Sequence, residues 1–333
     1  MGVALRDIIA EYKKPAEWES LGGVAAVDAN NALYQFLTII RQPDGTPLMD
    51  RNGRVTSHLS GILFRISNFL GKGIKPVFVF DGVPTDLKKA TIDARRKVRD
   101  DAGERWMDAL QRGDEAEAYK QARSSTRVDT TIIETSKELL RLMGIPVVQA
   151  PGEGEAQAAY MVEKGDARYA VSQDYDTLLF GTPTMIRNLT ITGKRKIRGR
   201  TITVNPERIV LADVLAGLHI SREELIQIGI LVGTDFNPGV HGVGPKTGLK
   251  LVQKGEFAAK LKESLPDFDP SPIIDLFLHP PVTSDYSLLW NHPDSEGIKK
   301  MLCDGYDFSE ERVNKALEAY AVKAGQKTLE GWF

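Results

Sequence analysis

The stretch IPVVQAPGEGEAQAAYMVEKGDARYAVSQDYD, residues 145–176, has the pattern of a strand, a helix and a second strand, with acids just past each strand. The first apolar run is followed by Glu153 and Glu155, and the second by Asp174 and Asp176. Between them, AQAAYMVEKG has a helical pattern. This unit predicts two parallel strands joined by a crossover helix, which is the building block of an α/β sheet.

Two earlier runs repeat the pattern. VAAVDAN contains Asp28 and PVFVFDG contains Asp81, and helical patterns such as HLSGILFRISNFL and TIIETSKELLRLMG separate the runs. Strands that alternate with helices predict an α/β fold with a mostly parallel, twisted sheet and helices on both faces. A fifth run, ILVGTDF, contains Asp235, but ELIQIGILVG also has apolar residues at helical spacing, so strand and helix remain alternatives there.

The acids that follow these runs are expected to meet, because ligands in open parallel sheets bind outside the carboxyl ends of the strands. The set is Asp28, Asp81, Glu153, Glu155, Asp174, Asp176 and Asp235. Packed without partners, these carboxylates would repel and raise one another's pKa values. Divalent cations would relieve the repulsion, and oxygen ligands without nearby Cys or His favour Mg²⁺ or Mn²⁺ over zinc. Each acid alone is equally well explained as a helix N-cap or a first-turn acid, but together they predict a metal site.

Basic and glycine-rich segments near the acids indicate a phosphate ligand. Lys88 and Arg95 are seven residues apart, so on one helix they share a face from which a cation could balance a phosphate. GVHGVGPKTG, residues 239–248, is a turn opening a helix whose amides could face an anion, with Lys246 adding charge. Tyr34 could stack on a base or be a core aromatic of an amphipathic helix, and both readings remain open.

Composition excludes several classes of protein. The net charge of −2 means that nucleic-acid affinity would depend on local basic clusters. The single cysteine, Cys303, excludes an internal disulfide framework and a cysteine-rich zinc site, and indicates a reducing, intracellular setting. No apolar run is long enough to span a bilayer, and the N-terminal segment lacks a signal-peptide layout. We therefore expect an intracellular protein without a membrane segment.

Taken together, the motifs resemble the flap endonucleases of the XPG-type 5′-nuclease superfamily over essentially the whole chain. The matching segments are AVDANNALYQFL, FVFDGVP, APGEGEAQAAY, SQDYDTLLF, LVGTDFNPGVHGVGPK and QKTLEGWF. PGEGEAQ with SQDYD at this separation is highly specific, unlike a lone glycine-rich loop. The resemblance implies a PIN-like 5′-nuclease fold with a helical arch and a helix–two-turn–helix DNA-binding element.

The resemblance also implies cofactors and residue roles. Two Mg²⁺ ions per chain, replaceable by Mn²⁺, would bind among the seven acids, the first mainly to the earlier acids and the second mainly to the later ones. GVHGVGPKTG matches the helix–two-turn–helix element, which often binds K⁺. The implied catalytic residues are Lys88, Arg95, Asp81 and Glu153. The implied DNA-binding residues are Gly2, Tyr34, Lys88, Arg95, Glu153, Gly233, Asp235, Gly242, Gly244 and Lys246.

The implied activity is structure-specific cleavage of DNA 5′ flaps, with 5′–3′ exonuclease activity, in Okazaki fragment maturation and long-patch base excision repair. The chain's terminal residues match the spacing of a peptide that binds a sliding clamp of the PCNA type: Gln326, Leu329, Trp332 and Phe333. The alternative is that this tail docks on the protein's own surface. We expect a monomer that assembles on the clamp trimer. The absence of a basic extension after Phe333 resembles archaeal forms, and we expect a cytoplasmic protein.

Five regions are expected along the chain. They are an N-terminal nuclease region with the start of the arch (1–98), the arch and linker (99–130), an intermediate nuclease region with the helix–two-turn–helix (131–258), a surface-wrapping region (259–324) and the clamp-binding tail (325–333). The segment between Pro84 and Val128 forms helix readily but has few large apolar residues, so it should project from the body or be mobile.

Other functions remain open at this stage. One is a scaffold that recruits junctions to the clamp without cutting, although the intact acid set argues against it. A nearer one is a nuclease of the same superfamily that prefers exonuclease or bubble substrates, because substrate choice cannot be read from the acids. An RNase is less favoured, since the helix–two-turn–helix element suits duplex DNA.

Overall fold

The computed structural model of the protein describes residues 2–42, 44–191, 193–197 and 200–324. The expected clamp-binding residues therefore lie outside the described residues: Gln326, Leu329, Trp332 and Phe333. Within the described part of the chain, no helix is both long and apolar enough to cross a membrane.

The described strands form one large sheet and one small hairpin. Their bounds are β1 Lys14–Pro15, β2 Gly23–Asp28, β3 Ile74–Phe80, β4 Val147–Gln149, β5 Tyr169–Val171, β6 Thr184–Arg187, β7 Gly193–Ile197, β8 Arg200–Val204 and β9 Glu207–Val210. The large sheet has the order β1-β9-β6-β5-β2-β3-β4, and β7 pairs with β8. Strands β6, β5, β2, β3 and β4 run parallel, whereas β9 and β1 are antiparallel additions at one side. The prediction of a mostly parallel sheet is confirmed.

The strand order creates a switch point beside β2. From β2 the chain adds β3 and β4 on one side, and it later returns to add β5 and β6 on the other. Connections that leave in opposite directions open a crevice outside the carboxyl ends of β2 and β5, where open α/β sheets bind ligands. Asp28 is the last residue of β2 and so lies at this crevice.

Fifteen α-helices occur among the described residues. They are α1 Arg6–Ile9, α2 Ala29–Ile39, α3 Ser57–Leu70, α4 Lys89–Gln111, α5 Glu115–Ser124, α6 Thr130–Leu142, α7 Gly154–Glu163, α8 Asp176–Leu179, α9 Leu211–Leu218, α10 Arg222–Val232, α11 Pro245–Gln253, α12 Phe257–Ser264, α13 Ser271–Leu278, α14 Ser295–Lys299 and α15 Glu310–Ala324. Short 3₁₀ turns span Ala10–Tyr12, Trp18–Leu21, Asp86–Lys88 and Leu189–Ile191, and a π turn spans Lys300–Asp304.

Helices cover both faces of the sheet because alternate strand residues point to opposite sides. Val27 and Phe78 belong to a core shared with α2, α3, α6 and α15, in which Ile62 is fully buried. Ala26 and Val79 belong to a separate core against α7. A third core joins α1 and α8 to helices α9–α13, and it also includes Val3 of the N-terminal segment. The prediction of helices on both faces is confirmed.

The fifth apolar run is a helix, which settles the alternative that periodicity left open. Helix α10 begins after Ser221, whose side chain bonds the amide of Glu224 while Glu224 bonds back, forming a capping box. The helix ends at Gly233, where φ is +104°. Asp235 therefore follows a helix and not a strand, and the sheet has no strand at this position.

The segment after Pro84 folds into α4 and α5, which pack on each other. Only Ala102 and Ala109 are buried in α4, and Val98 is 61% exposed. This agrees with a sequence that forms helix but has little apolar surface to bury. The expected region boundaries at 98/99 and 258/259 fall inside helices α4 and α12, and strands from regions 1–98 and 131–258 form one sheet.

Residues 279–294 cross the surface without regular structure and are held by specific hydrogen bonds. The buried Gln157 exchanges two bonds of 2.8 Å with the backbone of Thr283. Trp290 donates its indole N–H to the carbonyl of Pro76 at 2.9 Å. Residues 279–294 therefore connect the first turns of α7, and with them the acids of PGEGE, to the sheet.

We predict that His58 makes the fold acid-sensitive. It is 2% exposed on α3, and burial lowers its pKa from 6.5 to about 4. The unfolded chain therefore takes up this proton at a higher pH than the folded chain. Stability should be lost as pH falls from 6.5 towards 4, by up to about 3 kcal/mol. Denaturant unfolding of the protein and of His58→Gln should diverge in this window, and parallel pH profiles would contradict the prediction.

Candidate active site

Seven acids meet outside the carboxyl edge of the sheet, and they come from separate parts of the chain. Asp28 ends β2 and Asp81 directly follows β3. The remaining acids lie at the start of α7, in the turn into α8 and after α10: Glu153, Glu155, Asp174, Asp176 and Asp235. Each charge acts on others in the set, and these interactions connect all seven. The structure therefore brings the whole predicted set into one cluster.

Backbone and amide donors fix the acids that end β2 and directly follow β3. Asp28 caps α2 and accepts the amide N–H of Asn31 at 3.0 Å, so the capping alternative and membership of the cluster are both realised. One oxygen of Asp81 accepts the amide N–H of Gly154 at 2.7 Å, and the other accepts from the side chain of Asn30. These bonds join β3 to the first turns of α2 and α7.

The two glutamates of PGEGE have different surroundings. Glu155 accepts hydrogen bonds from the hydroxyls of Ser172 at 2.9 Å and Thr177 at 2.8 Å. Glu153 occupies the N-cap position of α7 without a capping bond from its side chain. Its carboxylate instead pairs with the ammonium group of Lys88. Glu155 thus faces the β5 side of the cluster, and Glu153 faces the base of α4.

Asp174 and Asp176 lie against the N-terminal segment. Asp174 accepts a bond of 2.9 Å from the side-chain amide of Asn31, and Asp176 accepts the amide N–H of Val3 at 2.9 Å. A Cβ atom at Gly2 would overlap the Asp176 carboxylate and lie 2.8 Å from Cβ of Asp174. Only a residue without a side chain fits here, so the close approach of Gly2 to the acids depends on its being glycine.

Lys88 and Arg95 reach the cluster from the base and first turns of α4. Arg95 makes a two-pronged pair with Asp235, including an Nη1–Oδ2 bond of 2.9 Å. The Lys88 ammonium lies 3.8 Å from Asp235 as well as against Glu153. Two cations therefore face seven acids, and the cluster retains an excess of negative charge.

That excess and the burial together favour protonation of four of the acids: Asp28, Glu153, Glu155 and Asp176. Burial, followed by the charge of Asp81, raises the pKa of Asp28 to about 8. Burial and the charge of Asp235 raise the pKa of Asp176 to about 7, and burial with neighbouring acids also raises the pKa values of Glu153 and Glu155. Burial opposes protonation of Lys88, but Glu153 outweighs it and holds the pKa of Lys88 above its ordinary range.

The donor set fits hard divalent cations. All seven candidate ligands are carboxylates, and Mg²⁺ and Mn²⁺ prefer oxygen, whereas zinc sites are built largely from Cys and His. Among the described residues, no three Asp, Glu, His or Cys side chains already converge as ligands of one ion. The carboxylates are held instead by Lys88, Arg95, amides and hydroxyls.

The turn that carries Asp235 requires glycine at its start. Gly233 has a φ of +104°, and an added Cβ would lie 2.8 Å from the carbonyl oxygen of Pro238. The buried Asn237 donates to the carbonyl of Ile230 at 2.7 Å and closes the turn back onto α10. Gly233 therefore shapes the turn that brings Asp235 to the cluster.

The following turn leaves open space. No heavy atom lies within 4 Å of the Cβ positions built at Gly242 and Gly244, and Lys246 is exposed. Gly244 is the N-cap of α11, so amides at the start of that helix face outward without a capping side chain. Tyr34 on α2 is half-buried, which leaves part of its ring accessible as base stacking requires.

Several residues that orient the acids were not foreseen from the sequence. Asn30, Asn31, Ser172 and Thr177 all donate side-chain hydrogen bonds to cluster carboxylates. The sequence indicates these residues only by their position, because each lies within three residues of a strand-end acid in DANN or SQDYDT. Val3 acts through its backbone amide, for which side-chain identity gives no signal.

Comparison with known proteins places the same acids within matched regions. The XPG N-terminal domain matches residues 1–102 and the XPG I-region matches residues 144–235, which together contain all seven. The chain is 71% identical to flap endonuclease 1 of Methanoregula boonei over 100% of both chains. It is 42% identical to the solved flap endonuclease-1 from Methanococcus jannaschii, over 98% of this chain and 100% of that one, with a TM-score of 0.79. The catalytic core of Rad2 in complex with DNA substrate is 25% identical over 94% of this chain and 98% of that one, with a TM-score of 0.70.

Gly2→Ala should damage the acid cluster without unfolding the protein. The new methyl group would collide with Asp176 and crowd Asp174, so either the acids or the N-terminal segment must move. We expect Mn²⁺ affinity, measured calorimetrically, to fall about 10-fold or more. Gly22→Ala is the control, because its Cβ would lie 3.6 Å from the nearest atom, the carbonyl oxygen of Gly73. Equal Mn²⁺ affinity of both variants would contradict this account of Gly2.

Proposed function

The chain belongs to the flap endonuclease family of XPG-type nucleases, and we propose that the seven-acid cluster is the centre at which it hydrolyses DNA. The protein is a DNA-binding nuclease, a phosphodiester hydrolase with the family's roles in DNA replication and repair. The observation that carries the proposal is the convergence of acids from separate segments on one edge of the sheet, faced by two cations from α4.

The seven carboxylates are the proposed ligands of divalent metal. Asp28, Asp81, Glu153 and Glu155 would mainly hold a first ion, and Asp174, Asp176 and Asp235 a second. We propose Mg²⁺ for both, with Mn²⁺ able to substitute, because the donors are all oxygen. When bound, the ions would neutralise the acids, activate water and balance charge on the phosphate.

The chain's own residues would recognise and orient the scissile phosphate. Lys88 and Arg95 pair with Glu153 and Asp235, and we propose that they exchange these carboxylates for the phosphate when DNA arrives. Their charge would then stabilise the negative charge that develops during hydrolysis. Tyr34 would stack on the unpaired junction nucleotide. The products would carry a 5′-phosphate and a 3′-hydroxyl.

Duplex DNA would be held through its backbone. The open glycine turn and the start of α11 supply outward amides and Lys246, which suit phosphate oxygens and carry no base specificity. We propose that this element is the helix–two-turn–helix, with K⁺ as a further ligand. Helices α4 and α5 would form the arch over the 5′ strand. Binding should therefore weaken steeply as salt increases.

The biological setting follows from this activity. We propose that the enzyme removes 5′ flaps during Okazaki fragment maturation and long-patch base excision repair, with 5′–3′ exonuclease activity. Such work places it with the DNA inside the cell, and we propose an archaeal cytoplasm. The terminal motif would recruit the monomer to a trimeric sliding clamp.

Cleavage of an end-labelled double-flap DNA tests the proposal. The substrate is incubated in Mg²⁺ and in EDTA beside linear duplex, single-strand, bubble and RNA controls. A single Mg²⁺-dependent cut near the flap junction is expected. Tight binding without a cut would favour the non-cutting scaffold, and stronger cutting of the bubble or of free ends would favour another nuclease specificity. Cleavage of an RNA control in preference to the flap would favour an RNase.

Asp174→Ala should abolish cleavage yet leave junction binding intact. Asp174 belongs to the metal cluster but makes no contact that closes the hydrophobic cores. Single-turnover cleavage should fall by orders of magnitude, whereas affinity for the double flap in Ca²⁺ should stay within about 3-fold of the unchanged protein. Retained turnover would overturn the assignment of Asp174.

Replacing Trp332 and Phe333 with Ala should abolish only the stimulation of cleavage by the clamp. Two adjacent aromatics are suited to fill a partner's pocket, and their loss removes the anchor of the proposed interface. Cleavage without clamp should be unchanged, and the increase on adding clamp should disappear. Persistent stimulation would show that the clamp contacts another surface.

A further inference from the structure

A chain of side-chain hydrogen bonds, buried at Thr190 and half-buried at Asn31, ends on the carboxylate of Asp174. Asn31 donates from Nδ2 to Asp174 Oδ2 at 2.9 Å. The Oδ1 atom of Asn31 accepts from the side-chain amide of Gln35. The Oε1 atom of Gln35 in turn accepts from the hydroxyl of Thr190 at 2.7 Å. The relay thus runs from Thr190 through two amides to a cluster acid.

The carboxylate of Asp174, at one end of the relay, determines which group donates and which accepts in every bond. The Asp174 carboxylate accepts the bond from Asn31, so Asn31 presents its NH₂ group to Asp174 and its oxygen to the other side. That oxygen receives Gln35 and also the backbone N–H of Gln173, at 3.3 Å. Gln35 must then present its own oxygen to the hydroxyl of Thr190. No member can turn over without breaking at least one bond.

The relay connects three elements that the fold brings together. Asn31 and Gln35 lie one turn apart on α2, Asp174 follows β5, and Thr190 lies in the 3₁₀ turn after β6. Gln35 is 8% exposed and Thr190 is 2% exposed, so water cannot readily replace either partner. A buried amide that loses its hydrogen-bond partner destabilises the folded protein, which keeps the relay in one arrangement.

We propose that Asn31 is a positioning residue that holds the Asp174 carboxylate ready to bind a cation, and that Gln35 and Thr190 hold Asn31. The proposal rests on the proposed function, in which Asp174 is a metal ligand. Mutation of a partner that orients a metal ligand typically weakens metal affinity by about 10–100-fold. Lys88 and Arg95 pair with Glu153 and Asp235, whereas Asn31 donates to Asp174.

Three variants separate positioning from general support of the fold. Asn31→Leu removes the donor to Asp174, and Thr190→Val removes only the far end of the relay while keeping the shape of the side chain. The matched control is Thr38→Val on α2. It deletes a buried hydroxyl that donates to the backbone carbonyl of Gln35 at 3.1 Å and lies outside the relay.

Mn²⁺ binding by the DNA-free chain is measured by calorimetry, together with the Mg²⁺ dependence of flap cleavage. Asn31→Leu should weaken Mn²⁺ affinity about 10–100-fold, and Thr190→Val should weaken it in the same direction but less. Thr38→Val should bind Mn²⁺ as the unchanged protein does.

The Mg²⁺ concentration that Asn31→Leu needs for flap cleavage should rise, while its cleavage rate at saturating Mg²⁺ stays within about 3-fold of the unchanged protein. Melting temperatures in EDTA should not follow the order of the affinities, as they would for a merely structural role.

The outcomes distinguish the relay from the proposed function. If the unchanged protein cuts the flap while Asn31→Leu binds Mn²⁺ equally well, the relay is overturned and the function stands. The relay is also overturned if Thr38→Val loses as much affinity as Thr190→Val. If the unchanged protein neither binds Mn²⁺ nor cuts the flap, the proposed function fails, and the reason for the relay fails with it.

Discussion

Mutual repulsion among buried carboxylates is the constraint around which this protein is organised. The parallel sheet directs the ends of its strands to one edge, and the strand order opens a crevice beside β2. Acids placed after successive strands must therefore share a small volume, where burial and their own charges raise the pKa values of Asp28 and Asp176. A fold that served stability alone would not concentrate charge in this way, because buried like charges destabilise the native state.

The surrounding structure offsets this cost without removing it. Lys88 and Arg95 pair with two of the acids, and side chains from α2 and from the turn after β5 donate hydrogen bonds to others. Gly2 lets the N-terminal segment approach without a side chain, so the amide of Val3 can reach Asp176. The contacts leave more carboxylates than cations, and that remaining charge is what suits the site to divalent metal and, through the metal, to a phosphodiester.

Much of the fold and the acid cluster could be predicted, because both follow from a repeated local pattern of apolar run, acid and helix. The helical run before Asp235 could not be distinguished from a strand, since ILVG alone fits a buried strand while ELIQIGILVG has apolar residues at helical spacing. The relay from Thr190 to Asn31 could not be predicted from the sequence either, because it joins residues about 160 positions apart. These residues meet only because α2 packs beside the turn after β6. Asparagines after a strand-end acid have too many local explanations, such as turns and caps, to predict such a link.

The most direct test of the central claim is a calorimetric titration of Mn²⁺ into the DNA-free protein near neutral pH. If the acids form one metal centre, the titration should saturate at two ions per chain, and the bound protein should melt at a higher temperature than the protein in EDTA. A chain that shows no saturable binding and no change in melting temperature would contradict the account, because the clustered charge would then have no cation to relieve it.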